Sequence, residues 1–161
     1  MLFRSDLGLP ALDPHALVRL LPDVCRGLRS LDDVGRADWL AILQSAIGSD
    51  RAHVVDRLAP THLDLSNGRR VKLAYPDAGP PTLAARIQEL FGVAETPRIA
   101  DGRVPVLMHL LGPNHRPQQV TADLAGFWRS TYPQVRNELR RRYPKHAWPD
   151  DPLAPPRRGG R

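Results

Sequence analysis

The sequence has little cysteine, little lysine and few aromatic residues. Cys25 is the one cysteine in 161 residues, so an internal disulfide is excluded, and a lone thiol is typical of a reducing compartment. No apolar run approaches the roughly 18 residues that a membrane span requires, and no signal-peptide pattern is found. We therefore expect a cytoplasmic protein without a membrane span. Because Lys72 and Lys145 are the two lysines, its positive charge depends on arginine.

Catalytic motifs are also missing from the sequence. No glycine-rich loop ends in Lys-Ser or Lys-Thr, and no DExH tetrapeptide occurs, so the elements of an ATPase site are absent. The six histidines are scattered without ligand spacing, which gives no metal site. No G-x-S-x-G turn marks a nucleophile. The sequence therefore predicts no catalytic residue, no metal and no cofactor in this chain, and a small enzyme is the least favoured class.

The positive charge that the chain does carry is unevenly distributed. Residues 1–60 hold 7 Lys+Arg against 8 Asp+Glu, whereas residues 129–161 hold 9 against 3. The formal net charge of +6 therefore resides in the C-terminal region. Such asymmetry indicates a polyanion or an acidic protein surface as partner.

The first third of the chain predicts three helices. Asp13-Pro14 is a typical N-cap with proline at the first helical position, and it begins a helix that ends before Gly27. Further helices are predicted around Trp39 to Ile47 and from Arg51 to Leu58. Apolar residues recur every three or four positions in the first helix, which indicates one buried face.

Alternating apolar and polar residues begin at position 61. Asn67-Gly68 separates the alternating strings 61–65 and 70–75, which predicts a β-hairpin. A helix is predicted next, from Thr82 to Phe91, and then a second strand pair, 104–110 and 117–121. Thr121 is a candidate N-cap for a following helix. Thr131 and Gln134 fit a capping box for a last helix that ends at Arg142.

These elements predict an α+β fold: a helical N-terminal third, a small antiparallel sheet in ββαββ order, and a C-terminal helical arm. An OB-like barrel is one way for the sheet to curl, although four strands fall short of the usual five. The predicted organisation is a helical segment over 1–59, an α+β domain with a basic arm over 60–149, and a disordered Pro/Gly/Arg tail over 150–161.

The C-terminal arm combines cations with aromatic rings. Single-stranded nucleic acid is bound by this combination, because cations neutralise phosphates and aromatic faces stack on bases. The candidate nucleic-acid-binding residues are Arg129, Arg136, Arg140, Arg141, Arg142 and Lys145. The candidate stacking or docking aromatics are Trp128, Tyr143 and Trp148. Spacings of seven and four are expected to place Arg129, Arg136 and Arg140 on one helix face.

The residues alone leave two interpretations of this arm. It either contacts RNA or another single strand, weakly and with strong salt dependence, or it is a strap. In the strap, Tyr143 and Trp148 dock the arm on its own protein or on another protein surface. Pro144 and Pro149 stiffen the segment and favour the strap. A non-catalytic protein-interaction module is therefore the alternative to a nucleic-acid-binding domain.

Several strings of the sequence resemble the C-terminal domain of HrpB-type DEAH-box ATP-dependent helicases. They are Pro60-Thr61-His62 before the Asn67-Gly68 hairpin, Pro80 to Gly92, Gly102 to Val106, Arg116 to Trp128 and, most specifically, Arg142 to Pro152. The resemblance implies that this chain is the accessory part of a bacterial RNA helicase. It also implies that the partners are RNA and the helicase motor domains. ATP and Mg²⁺ are implied for the full-length family protein, whose motor motifs have no counterpart here, so no catalytic residue is carried over.

Overall fold

The computed structural model describes residues 14–154 of the chain. These residues divide into two compact units with a boundary between Arg57 and Leu58. We call them the helical unit and the sheet unit.

The helical unit contains the three predicted helices and one that the sequence did not reveal. Its elements are α1 (Pro14–Val24), α2 (Leu31–Arg36), α3 (Trp39–Ile47) and α4 (Ser49–Leu58). The unpredicted helix, α2, has six residues and begins at Ser30, whose Oγ accepts a hydrogen bond from the backbone N–H of Asp33 at 3.2 Å. A helix this short has too few turns to show an apolar period.

The predicted β-hairpin opens the sheet unit. Strands β1 (His62–Asp64) and β2 (Arg70–Ala74) pair antiparallel, with Leu63 opposite Val71. Gly68 has a φ of 81°, the left-handed conformation that the Asn-Gly turn requires. The Asn67 side chain donates hydrogen bonds to the carbonyls of Glu89 and Phe91, both at 2.9 Å, which holds the turn against the following segment.

The prediction of a helix from Thr82 to Phe91 is wrong. Thr82–Arg86 is strand β3, and a 3₁₀ helix, Ile87–Leu90, follows it. Leu83 and Ala85 are buried and alternate with outward-facing residues, which is the period of a strand. The apolar spacing of this segment also fits a helix. What selects the strand is its position between two other strands of the sheet.

The remaining strands complete a mixed sheet. Strands β4 (Arg98–Ile99) and β5 (Val104–Pro105) form a separate small hairpin, and β6 (Leu107–Leu111) and β7 (Pro117–Thr121) join the main sheet. The main sheet has five strands in the order β1-β2-β3-β6-β7. Because β3 and β6 are parallel, the sheet is not wholly antiparallel, and the predicted ββαββ order is replaced. Among the described residues no ladder joins β7 to β1, so an OB-like barrel is not confirmed.

One continuous helical stretch follows the sheet, where two separate helices were predicted. It comprises α5 (Leu124–Gly126), a π-helical segment (Phe127–Thr131) and α6 (Tyr132–Arg142). The N-cap is Asp123, whose Oδ1 accepts from the Gly126 N–H at 2.8 Å, and not Thr121. The Thr131 side chain caps nothing, so the predicted capping box is absent. The π turn lies just before Pro133, which lacks an N–H and disfavours a regular α turn.

The core of the sheet unit lies between the sheet and this helical stretch. Leu83 pairs with Met108 and Ala85 with Leu110 across the parallel ladder, and all four side chains are buried. The helical stretch contributes an aromatic group in which the rings of Phe127 and Trp128 lie 5.0 Å apart and those of Trp128 and Tyr132 lie 5.2 Å apart. Edge-to-face ring contacts of this kind add to the area that the rings bury.

Candidate nucleic-acid interface

Five of the six predicted cations lie exposed on and beyond the helical stretch. None of the five forms an ion pair within residues 14–154, whereas the arginines of the hairpin and of β3 are paired with carboxylates. We call these five the basic cluster: Arg129, Arg140, Arg141, Arg142 and Lys145. The cluster therefore presents positive charge that no carboxylate of the described residues neutralises.

Arg136 differs from the predicted arrangement. Its side chain is 15% exposed and pairs with Asp150, a side chain that is 91% exposed. The Nε of Arg136 is buried without a hydrogen-bond partner. Arg136 thus faces the protein rather than sharing a solvent face with Arg129 and Arg140.

The π-helical segment explains the part of this difference that concerns Arg129. A spacing of seven residues returns to the same face only if the helix is α-helical throughout. The Tyr132 N–H donates to the Phe127 carbonyl, five residues earlier, so the turn between Arg129 and Arg136 is wider than an α turn. The face of α6 is rotated accordingly.

The two predicted tryptophans lie in the core of the sheet unit. Trp128 is 5% exposed and its Nε1 donates to the Val93 carbonyl at 2.7 Å. Trp148 is 9% exposed and its Nε1 donates to the Tyr143 carbonyl at 3.0 Å. Tyr143 is partly buried, and the Arg142 guanidinium lies 5.8 Å from its ring centroid. Neither tryptophan presents a free face to solvent.

Residues 143–152, which we call the strap, dock on the sheet unit through specific hydrogen bonds. The Tyr132 hydroxyl donates to the Pro149 carbonyl, and the Gly92 N–H donates to the Pro152 carbonyl, each at 2.9 Å. Burial, partly opposed by the charge of Arg136, raises the pKa of Tyr132 to about 12, so the hydroxyl remains a donor at neutral pH. Asp150 and Pro152, which fall within the tail predicted over 150–161, therefore contact the sheet unit. Residues 155–161 of that tail lie outside the described residues.

An open cleft lies where α6 meets the strap. It has a volume of about 690 Å³ and is lined by Asn137, Arg140, Arg141 and Pro144. No carboxylate is among these lining residues. Two members of the basic cluster thus share a concave surface with an amide side chain.

Sequence reasoning missed the residues that shape this surface. Asn137 precedes Arg140 by three positions, a helical spacing that places both on one face and could have identified it. Tyr132, Asp150 and Pro152 were not singled out, because their partners Pro149, Arg136 and Gly92 are revealed by the fold rather than by a local pattern.

The described residues contain no arrangement for metal or membrane chemistry. No group of three or more His, Cys, Asp or Glu side chains in residues 14–154 is placed to hold a metal ion. In the same part of the chain, no helix has the length and apolar character needed to cross a bilayer.

Comparison with known proteins agrees with this architecture. A family described as "ATP-dependent helicase C-terminal" matches residues 20–152. The chain is 40% identical over 156 residues to the ATP-dependent RNA helicase HrpB of Escherichia coli strain K12, covering 92% of this chain and 19% of that protein.

Solved structures give the same result at the level of the fold. The crystal structure of the E. coli DExH-box NTPase HrpB superposes with a TM-score of 0.83 at 39% identity, over 93% of this chain and 19% of that chain. A crystal structure of the Escherichia coli DEAH/RHA helicase HrpB gives a TM-score of 0.67 at 36% identity, over 86% of this chain and 18% of that chain. The chain thus spans about a fifth of the length of these relatives, and it belongs to the family of HrpB ATP-dependent helicase C-terminal domains.

Proposed function

We propose that this chain is the accessory domain of an ATP-dependent RNA helicase of the cytoplasm, where it contributes to nucleic-acid binding and braces the motor domains. ATP and Mg²⁺ act in the motor of the full-length protein and not in this chain. The observation that carries the nucleic-acid part is the basic cluster, whose five cations have no carboxylate partner within residues 14–154.

The burial of the two tryptophans limits which part of an RNA strand the chain can contact. Stacking on bases requires an exposed ring face, but Trp128 and Trp148 are 5% and 9% exposed and both indole N–H groups are bonded to carbonyls. Contact with phosphates requires exposed cations alone. We therefore infer weak, salt-dependent binding of RNA through its backbone, with little preference for base sequence.

Fluorescence anisotropy with a labelled single-stranded RNA tests this part of the proposal. Because each neutralised phosphate contributes about 0.7 to the slope of log K against log salt, we expect a steep slope. Affinity that is unchanged between low and moderate salt would contradict phosphate contact. A purified chain that hydrolyses ATP, with loss of hydrolysis on mutation, would contradict the absence of an ATPase site.

The bracing role is supported by the helical unit. Helices α2 and α3 contain no buried residue, and Leu31 and Leu40 are 88% and 67% exposed. We propose that this unit is the end of a helical-bundle region and that these leucines contact the remainder of the helicase. These leucines differ from the docking aromatics predicted from the sequence, because Trp148 is buried within its own unit.

A pull-down between this chain and separately purified motor domains tests the bracing role. Leu31→Glu with Leu40→Glu is expected to abolish association, while Arg140→Gln with Arg141→Gln is expected to leave it intact. The reverse result would favour the alternative function, a protein-interaction module whose basic surface binds an acidic partner.

A further inference from the structure

We infer that the cleft between α6 and the strap is a phosphate-binding site for the backbone of a nucleic-acid strand, with Arg140 and Arg141 as the ligating side chains. This inference rests on the proposed function and assigns its binding to one location. The juxtaposition that carries it is two exposed arginines and Asn137 around a concavity of about 690 Å³.

The shape and lining of the cleft suit a phosphate. The cleft is open to solvent and has only four lining residues, so a phosphodiester can reach the side chains of Arg140 and Arg141 without entering an enclosed pocket. Arginine offers a planar fork of N–H donors that matches two phosphate oxygens, and the Asn137 amide can add a neutral donor. The lining residues supply no aromatic ring face, so the cleft is suited to the backbone and not to a base.

The charges around the cleft favour an anion. Arg140 and Arg141 have no ion-pair partner in residues 14–154, and Arg142 and Lys145 add positive charge at the same end of α6. The Asp150 carboxylate is paired with Arg136, so it does not neutralise the arginines that line the cleft. Glu138 is exposed on α6 but does not line the cleft.

The strap makes the cleft a preformed site. Pro144, one of its walls, follows Tyr143, whose N–H donates to the Leu139 carbonyl at 2.7 Å and whose carbonyl accepts from Trp148 Nε1. The wall is thereby fixed to both α6 and the core. A fixed wall reduces the conformational entropy that binding must remove, which matters for a weak electrostatic contact.

The exposed cations outside the cleft provide a control that distinguishes binding at the cleft from nonspecific electrostatic binding. Arg19 and Arg116 are exposed, have no ion-pair partner in residues 14–154, and lie in α1 and in the β6–β7 turn. The double variants R140Q/R141Q and R19Q/R116Q lose the same charge. In the full chain, we expect R140Q/R141Q to weaken binding of a 12-nucleotide RNA about 10- to 100-fold. We also expect it to reduce the salt slope by about 1.4, whereas R19Q/R116Q changes affinity less than about two-fold.

Two further measurements define the ligand chemistry. The variant R140K/R141K, which retains charge without the guanidinium fork, is expected to bind RNA with intermediate affinity. In competition, RNA should resist displacement by inorganic phosphate and by poly-glutamate at equal charge concentration. Displacement by phosphate would identify a free-anion site, and displacement by poly-glutamate would identify an acidic protein as the ligand; either would overturn the inference.

The outcomes also separate this inference from the proposed function. If wild-type chain binds RNA but the two double variants lose affinity equally, the cleft is overturned and general charge binding stands. If wild-type chain shows no RNA binding at any salt concentration, the nucleic-acid part of the proposed function is overturned with it. Because Arg140 and Arg141 are exposed, circular dichroism melting of both variants should match wild type and exclude unfolding as the cause.

Discussion

The helical unit and the sheet unit bury their apolar side chains to very different extents. Between Pro14 and Arg57 the described buried apolar residues are Ala16 and Val24, and Leu31 is 88% exposed. In the sheet unit one contiguous core extends from Leu65 in the hairpin to Trp148 in the strap. Since burial of apolar surface is the main stabilising term in folding, the sheet unit has more stabilising burial among the described residues than the helical unit has. Four substitutions test this contrast.

Trp148→Ala should have the largest effect. Truncating a large buried aromatic residue typically costs about 3–5 kcal/mol, and here the indole N–H bond to the Tyr143 carbonyl is lost as well. Urea unfolding followed by amide hydrogen exchange should show the loss in the sheet unit and not in α1–α3. Leu153→Ala, at an exposed neighbouring position, is the matched control and should cost less than about 0.5 kcal/mol. Equal effects of the two substitutions would mean that the strap is not docked.

Tyr132→Phe should destabilise the sheet unit at neutral pH, and its difference in stability from wild type should shrink as the pH rises above 10. Loss of the hydroxyl bond to the Pro149 carbonyl is expected to cost about 1 kcal/mol. Burial raises the pKa of Tyr132 to about 12, above the ordinary 10 that applies when the chain is unfolded. The stability of the wild type is therefore intact below pH 10 and declines as pH rises from 10 towards 12, because the unfolded state loses its proton first.

Stability measured between pH 9 and 12 should thus converge for wild type and Tyr132→Phe. The absorbance of tyrosinate at 295 nm should also lose its highest-pH transition in the variant. A pH-independent difference between the two proteins would show that this hydroxyl titrates normally.

Asp150→Asn should have a smaller effect on the strap. It removes the charge partner of Arg136, whose guanidinium is largely buried, but Asp150 itself is 91% exposed and solvent screens the pair. We expect a loss of about 0.5 kcal/mol, confined to the strap and the C-terminal half of α6. Asp151→Asn is the matched control, because Asp151 is exposed and forms no ion pair in the described residues. Added salt should reduce the difference between the two variants.

Leu31→Ala with Leu40→Ala should have the smallest effect on the isolated chain. Exposed side chains contribute little to folding, so melting should shift by less than the equivalent of about 0.5 kcal/mol for each residue. The same pair should weaken association with the motor domains. A strong destabilisation of the isolated chain would mean that these leucines already have a partner within it, which would remove the contrast between the units.

Local signals in the sequence predicted the elements that depend on local chemistry. Pro14 marked the start of α1, Gly48 the end of α3, and Asn67-Gly68 the hairpin. The assignment of β3 as a helix failed because Leu83 and Ile87 fit both periods. Pairing with β6, which lies more than twenty residues later in sequence, decides between them. The resemblance of the strap to a known family was visible, but the fold was needed to show that its tryptophan packs inward.

The cation site was predictable in composition but not in geometry. Every member of the basic cluster was named from charge alone, and Arg136 was grouped with them because its spacing to Arg129 and Arg140 suits an α-helix. The π turn before Pro133 was not signalled by any periodicity, and it changes the angle between Arg129 and the arginines of α6. A single wide turn therefore limits what charge patterns can predict about this surface.

The π turn makes the orientation of the charges on α6 depend on the number of residues in the segment before it. A π-helical segment corresponds to one residue inserted into an α-helix, and each residue advances the helix by about 100°. Deletion of one residue between Phe127 and Thr131 would keep all the charges of α6 while rotating them by about 100° relative to α5. The length of this five-residue segment, rather than the number of arginines after it, sets which charges the domain presents.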